Sequence, residues 1–297
     1  MTRTSLEYRQ VDVFAERPLA GNGLAVFVTE QALETRLMQA LTRELRQFES
    51  IFLTASPEPN TFGARVFTME EELPFAGHPA IGATAVLQER AGFDEYQAKL
   101  ILPAATVDLK SRRRGERYEV SMNQGPLSFG LEVDDREAVS WLNCFGLESR
   151  HLDRKLPVCV ASTGLPYLVI PVTSEGLAKA RIASDQLERR LATVGARFVY
   201  LFDVEGSEGR TWDNAGAVED IATGSAAGPV AGLLVRYGLA GKGQTILLRQ
   251  GRFVGRPSEM RVAVCDDDEC DIILSGSVVT VAHGEFDTQV LSLGCDD

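Results

Sequence analysis

Pro79-Ala-Ile-Gly-Ala-Thr-Ala-Val-Leu87 and Ser225-Ala-Ala-Gly-Pro-Val-Ala-Gly-Leu-Leu-Val235 decide the fold. Neither stretch carries a charge, and both are rich in alanine and glycine. Each reads as a helix: one from about Pro79 to Arg90, stopped near Gly92, the other from about Ser225 to Tyr237, stopped at Gly238. A helix that is apolar on every side is buried on every side. Its small residues let neighbouring strands come close to the helix backbone. A chain with two such helices is expected to wrap a curved sheet or barrel around each of them.

The flanking sequence repeats with the helices. Before the first lie alternating apolar runs at Tyr8 to Phe14 and Leu24 to Val28, separated by the turn Ala20-Gly21-Asn22-Gly23. An amphipathic helix follows within Gln31 to Gln47, where Leu33, Leu37, Leu41 and Leu45 recur. Strands are then expected at Ser50 to Thr54 and Gly63 to Thr68. Before the second buried helix the order is the same. Strands are expected at Leu156 to Ala161 and Tyr167 to Val172, a helix at Ser184 to Val194, and strands at Arg197 to Asp203 and Gly209 to Trp212. The order β-β-α-β-β-loop-α thus occurs twice, and long self-similarity outweighs any single element. Further strands trail each copy: 99–102, 107–110 and 118–122 after the first, 245–249, 260–264, 271–274 and 278–282 after the second. The expected class is α+β, with two pseudo-symmetric domains. The first covers residues 1–125 with a returning C-terminal strand at about 286–297, and the second covers 126–285.

Composition excludes several functions. The 42 acidic and 30 basic residues leave a net charge of −12. Without a basic stripe such a chain is a poor nucleic-acid binder, because phosphate neutralisation supplies most of that affinity. Arg112-Arg113-Arg114 is too short to change this, and Arg114-Gly115-Glu116 reads as a hairpin tip. No apolar run is long enough to span a bilayer, and Met1 to Arg9 lacks the apolar core of a signal peptide. The five cysteines, at 144, 159, 265, 270 and 295, show no CxxC spacing and read as reduced thiols of a cytoplasmic protein. Histidines 78, 151 and 283 stand too far apart for a recognisable zinc motif, so no metal site is expected. Cys265-Asp-Asp-Asp-Glu-Cys270 reads as an acidic hairpin, and His283-Gly284 as a structural turn.

The two helix starts are the strongest functional signal. Each follows a loop that ends in glycine and then a polar side chain: Glu72-Leu-Pro-Phe-Ala-Gly77-His78-Pro79 and Glu219-Asp220-Ile-Ala-Thr223-Gly224-Ser225. Buried helix starts leave backbone N–H groups without intrahelical partners, and these favour an anion. Facing each other across a domain cleft, the two starts would hold a carboxylate. Capping by Thr223 or Ser225 is part of the expected role. Glu49 stands next to an apolar strand, and the matching place, Gly195-Ala-Arg-Phe198, has no acid. On position alone Glu49 reads as a solvated helix-end residue. In a cleft, burial would raise its pKa toward the range useful for proton transfer.

Val11-Asp-Val-Phe14, Phe48-Glu49-Ser50-Ile-Phe-Leu53, Leu73-Pro-Phe-Ala-Gly-His-Pro79, Glu219-Asp-Ile-Ala-Thr-Gly-Ser-Ala226, Gln250-Gly251 and Gly255-Arg-Pro-Ser258 together resemble the phenazine-biosynthesis F-like family, relatives of diaminopimelate epimerase. The resemblance implies two pseudo-symmetric epimerase-like domains and a cofactor-independent isomerase. It implies that Glu49 moves a proton between substrate carbons, and that His78 and Asp220 assist. A small carboxylate substrate would be held by Gly77, His78, Asp220, Gly224 and Ser225. It also implies a homodimer. Phe48, Ile221 and Gly23 depart from the usual family residues without removing a reacting group. The epimerase relatives carry a thiol before each matching glycine; this chain has Ala76 and Thr223. A one-acid proton shift therefore fits better than a two-thiol racemisation. The alternatives are an epimerase-like activity and a dimeric, non-catalytic ligand binder.

Overall fold

A computed structural model describes residues 5–75, 77–266 and 271–287. In chain order the elements are β1 (Leu6–Val13), β2 (Asn22–Thr29), α1 (Thr35–Leu45), β3 (Glu49–Ala55), β4 (Thr61–Phe67), β5 (Glu72–Leu73), α2 (Gly77–Ala91), β6 (Glu95–Ile101), β7 (Thr106–Arg114) and β8 (Arg117–Pro126). Then come β9 (Ser128–Val133), α3 (Asp135–Asn143), β10 (Val158–Ser162), β11 (Pro166–Val172), α4 (Ser174–Lys179), α5 (Leu187–Thr193), β12 (Phe198–Asp203), β13 (Glu208–Arg210), α6 (Gly224–Arg236), β14 (Thr245–Gln250), β15 (Ser258–Val264) and β16 (Asp271–Phe286). Among the described residues no helix is long and apolar enough to cross a membrane.

The chain forms two compact units, Met1–Met122 with Ser275–Asp297, and Asn123–Leu274. In the first, the strand neighbours run β16-β1-β2-β3-β4-β6-β7-β8 and back to β16, so the sheet closes on itself. Helix α2 packs against β1, β2, β3, β6 and β7. Every residue from His78 to Gln88 is buried, as the charge-free part of a helix inside a barrel requires, and the charges Glu89 and Arg90 come only in its last turn. Close approach has a visible cause: a Cβ on Gly82 would lie 2.5 Å from Leu24 Cδ2 and 2.9 Å from Val13 Cγ2. Helix α1 covers the outer face through Leu37, Met38 and Leu41, which pack on Phe27, Phe52 and Phe67.

The second unit repeats the pairing. In the first unit β1–β2 is antiparallel, β2–β3 parallel, β3–β4 antiparallel, β4–β6 parallel and β6–β7 antiparallel. In the second, β10–β11, β11–β12, β12–β13, β13–β14 and β14–β15 follow the same alternation. Helix α6 occupies the place of α2 and packs against β10, β11 and β15. The other face of β11 and β12 presents Leu168, Ile170, Val172, Val199 and Leu201 to Trp141, Leu142, Leu177, Leu187 and Leu191.

Several expectations change. The strands expected at 271–274 and 278–282 are one strand, β16. Gly276 is not a turn there; a Cβ on it would lie 2.2 Å from the ring of Phe14, so glycine makes room for that side chain. Likewise His283-Gly284 lies inside β16, with His283 opposite Arg9, and Gly284 leaves space for the Tyr8 ring. The first unit regains the chain at Ser275 rather than near 286, because Val278 to Phe286 already pair with β1. Of the returning strand expected at 286–297, residues 288–297 lie outside the described residues, as do 267–270 of the acidic segment. The helix read at Ser184 to Val194 starts only at Leu187. Strand β9 and helices α3 and α4 had no counterpart in the sequence reading.

Candidate active site

In the first unit the candidate residues Glu49 and His78 sit where a strand start meets a helix start. Side chains alternate along β3. Phe52 faces outward under α1, so Glu49, Ile51 and Leu53 face the central helix. Glu49 is therefore only 7% exposed, not a solvated helix-end residue. His78, the second residue of α2, is also 7% exposed. Its Nε2 lies 3.6 Å from Glu49 Oε2. That distance is beyond a hydrogen bond, and His78 Nε2 is buried without a hydrogen-bond partner among the described residues. Burial pushes the imidazole pKa down from 6.5 to about 3. His78 is thus neutral near pH 7, and its approach to Glu49 is that of a neutral imidazole rather than of a cation. Gly77 opens the same helix, where the first N–H groups have no intrahelical acceptor.

In the second unit the loop before α6 is held from both sides. Glu219 forms a two-point ion pair with Arg210, with Arg210 Nε to Oε1 at 2.9 Å and Nη2 to Oε2 at 2.6 Å. Arg210 also donates to the carbonyls of Leu177 and Ala180 and stacks over Trp212 and Phe253. The acid at 219 is an anchor, which leaves Asp220 as the acid next to the helix start. Asp220 Oδ2 accepts a 2.6 Å hydrogen bond from Thr223 Oγ1. This overturns the expected capping role of Thr223, whose side chain makes no cap hydrogen bond to α6. Gly224 opens α6, and Ser225 Oγ lies 2.7 Å from Tyr167 Oη. Tyr167 reaches it because Leu168, the next residue along β11, faces the opposite side.

Glu49 and His78 thus come together in one unit, and Asp220, Gly224 and Ser225 share one loop-helix junction in the other. Sequence reading missed three supporting residues: Tyr167, Tyr200 and Gln250. Gln250 ends β14, is almost fully buried, and bonds to Thr223 and to the Asp220 carbonyl. Its pairing with Gly251 in the motif was a signal for it. Gly251 has φ 82°, and a Cβ there would lie 2.2 Å from the Arg256 carbonyl oxygen and 2.6 Å from that of Ile221.

Comparison with known proteins identifies the family. Residues 11–284 match the family described as phenazine biosynthesis-like protein. Trans-2,3-dihydro-3-hydroxyanthranilate isomerase of Pseudomonas chlororaphis is 31% identical, over 93% of this chain and 98% of that protein. A solved structure described as a predicted epimerase from Pseudomonas aeruginosa is 51% identical, with a TM-score of 0.89 over 95% of this chain and 99% of that one. The likeness of fold extends to a structure described as a probable proline racemase from Agrobacterium radiobacter K84, at 13% identity and a TM-score of 0.58 over 95% of this chain and 92% of that one. With its doubled sheet-and-helix architecture and with relatives named as isomerases, this chain belongs to the phenazine biosynthesis-like family and is an isomerase.

Proposed function

We propose that the enzyme moves a proton between carbons of a small carboxylate substrate without a cofactor, with Glu49 as base and then acid. His78 relays or steadies the proton, Asp220 engages a polar group of the substrate, and Ser225 with the Gly77 and Gly224 amides holds the carboxylate. The reading takes both helix starts as serving one substrate. The observation that carries it is the buried Glu49 carboxylate 3.6 Å from a buried imidazole that burial keeps neutral. A carboxylate there can accept a carbon-bound proton, and the neutral imidazole of His78 does not hold it in an ion pair. The asymmetry supports the reading too, since the corresponding strand of the second unit opens with Phe198 and has no acid at the place of Glu49.

The first substrate to try is trans-2,3-dihydro-3-hydroxyanthranilate, because a relative is named for it. Turnover in D₂O, followed by NMR, should place deuterium at the receiving carbon. Glu49→Gln should lower kcat by about 10²–10⁴, the range for losing a general acid-base group, with the thermal melt retained. Full turnover by Glu49→Gln would sink the assignment. The description of the 51%-identical structure raises epimerisation as a second reading. Ala76 and Thr223 supply no thiol for it, and chiral analysis of the product separates the two: inversion at a single carbon favours epimerisation, and a displaced double bond favours the proton shift. Ligand binding without deuterium exchange across a panel of carboxylates would instead indicate a binder.

A further inference from the structure

The hydrogen bonds around Gln250 have only one consistent direction, and they end on Asp220. A primary amide offers two donors and two acceptor sites. Gln250 uses all four. Its Nε2 donates to the Asp220 carbonyl at 2.8 Å and to Thr223 Oγ1 at 2.9 Å. Its Oε1 accepts from Thr223 N at 3.1 Å and from Tyr200 Oη at 3.0 Å. The Thr223 N–H can only donate, so the amide cannot be flipped. Thr223 Oγ1 then receives a hydrogen from Gln250, and its own hydrogen goes to Asp220 Oδ2 at 2.6 Å. Gln250, Tyr200 and Thr223 are all buried, so no bulk water competes for these groups.

We infer that Gln250 and Thr223 are positioning residues that form a one-way donor chain, Gln250 to Thr223 to Asp220, which holds Asp220 as a hydrogen-bond acceptor. A proton on Oδ2 would face the hydrogen of Thr223, so the chain favours the carboxylate, whose Oδ1 accepts from the Ala222 N–H at 3.4 Å. Asp220 therefore receives a hydrogen bond or proton from the substrate rather than supplying one. This assignment rests on the proposed role of Asp220 at the site, but the chain itself exists without substrate and can be tested without it. Other charged or titratable groups around this loop are Tyr200 on β12, Tyr167 on β11, the Arg210–Glu219 pair and the Glu208–Arg252 pair. Both pairs are closed two-point ion pairs, and burial drives the Tyr200 phenol up, with Asp220 adding to the shift.

The test is a direct titration of Asp220 by carboxyl ¹³C NMR in wild type, Thr223→Val and Thr223→Ser, assigned with Asp220→Asn. Valine keeps the shape and removes the donor; serine keeps the donor. The Asp220 pKa should rise by about one unit in Thr223→Val, a tenfold change in its ionisation equilibrium, and return toward wild type in Thr223→Ser. An equal titration in all three proteins overturns the inference. The acid limb of the kcat/KM profile is then measured on the same proteins. If the limb moves with the NMR value, both the chain and the role of Asp220 stand. If the NMR value moves and the limb does not, the chain stands and the role of Asp220 in turnover falls. Gln250→Glu, with a melting curve as the folding control, should disrupt the chain because a carboxylate cannot donate to both Thr223 Oγ1 and the Asp220 carbonyl. An unchanged Asp220 titration in folded Gln250→Glu would also overturn the inference.

Discussion

Replacing His78 by glutamine should remove most of one proton's worth of acid sensitivity from the fold. In the native state burial lowers the His78 pKa from 6.5 to about 3. In the unfolded chain it returns to the ordinary value. Between these limits the unfolded state binds one more proton than the native state, so stability falls as the pH falls. The slope is about 1.4 kcal/mol per pH unit, and the window from pH 6.5 to 3 gives a total of roughly 5 kcal/mol as a ceiling. Above pH 6.5 the contribution is fully present; below about pH 3 it is gone. Other acid-sensitive groups act in both proteins, so the difference between wild type and His78→Gln isolates this one. The assay is urea unfolding at half-unit steps from pH 7.5 to 4. The gap between the two proteins should change by about 1.4 kcal/mol per unit below pH 6.5 and stay constant above it. Nitrogen chemical shifts of the ring should show a neutral imidazole throughout. Parallel stability curves, or an imidazolium at pH 6, would refute the argument and would make the 3.6 Å approach to Glu49 an ion pair instead of a neutral relay.

Three further outcomes follow from the packing. Gly82→Val should destabilise the first unit by about 1–3 kcal/mol, the usual cost of overpacking, because its Cβ would already lie 2.5 Å from Leu24 Cδ2; chemical denaturation measures it. Arg210→Met should cost about 3–5 kcal/mol by leaving the Glu219 carboxylate uncompensated in a buried place, and replacing both partners with apolar residues should recover much of the loss. Cys159, with its thiol pushed up to about 11 chiefly by desolvation, should resist a thiol reagent at pH 8 in the folded protein and react once the chain is unfolded.

The repeat was legible because it rests on periodicity and on two charge-free helices, which have few alternatives to burial. Local boundaries were less legible. Helix α4 has six residues, too few for a period of 3.6 to show. Helix α3 did carry a readable signal: Asp134 caps it by accepting hydrogen bonds from the Arg136 and Glu137 amides. Gly284 was misread as part of a turn, because glycine marks both turns and places where an aromatic ring crosses a strand, and only the partner strand distinguishes them. Glu49 was ambiguous for a related reason. Whether an acid at the start of a strand faces water or a core depends on which residue of that strand is first, and a one-residue slip reverses the answer. Phe52 under α1 fixes that parity. Gln250 was legible only as part of the Gln250-Gly251 motif, because its importance lies in its four simultaneous partners, contributed by β12 and the loop before α6.

On the proposed function, the two halves share a backbone pattern but divide the chemistry, and the division can be traced to single positions. Strand β3 and strand β12 hold the same place in the sheet order, each parallel to the strand before it and antiparallel to the strand after it. One opens with Glu49, the other with Phe198. Helices α2 and α6 both begin at glycine, but the next side chain is an imidazole in one and a hydroxyl in the other. The first pairing puts a carboxylate beside a neutral base, an arrangement able to carry a proton. The second surrounds its helix start with donors and an oriented acceptor, an arrangement able to hold a polar ligand still. Catalysis of a proton shift needs both properties, and they make opposite demands. The acid-base group must be able to change its protonation state, while the positioning groups must not. On that proposal, a duplicated scaffold lets each half satisfy one demand. Introducing an acid at Phe198 would therefore not create a second proton carrier, because the residue after Gly224 is Ser225, whose hydroxyl is already bound to Tyr167, and there is no neutral imidazole there to receive the proton.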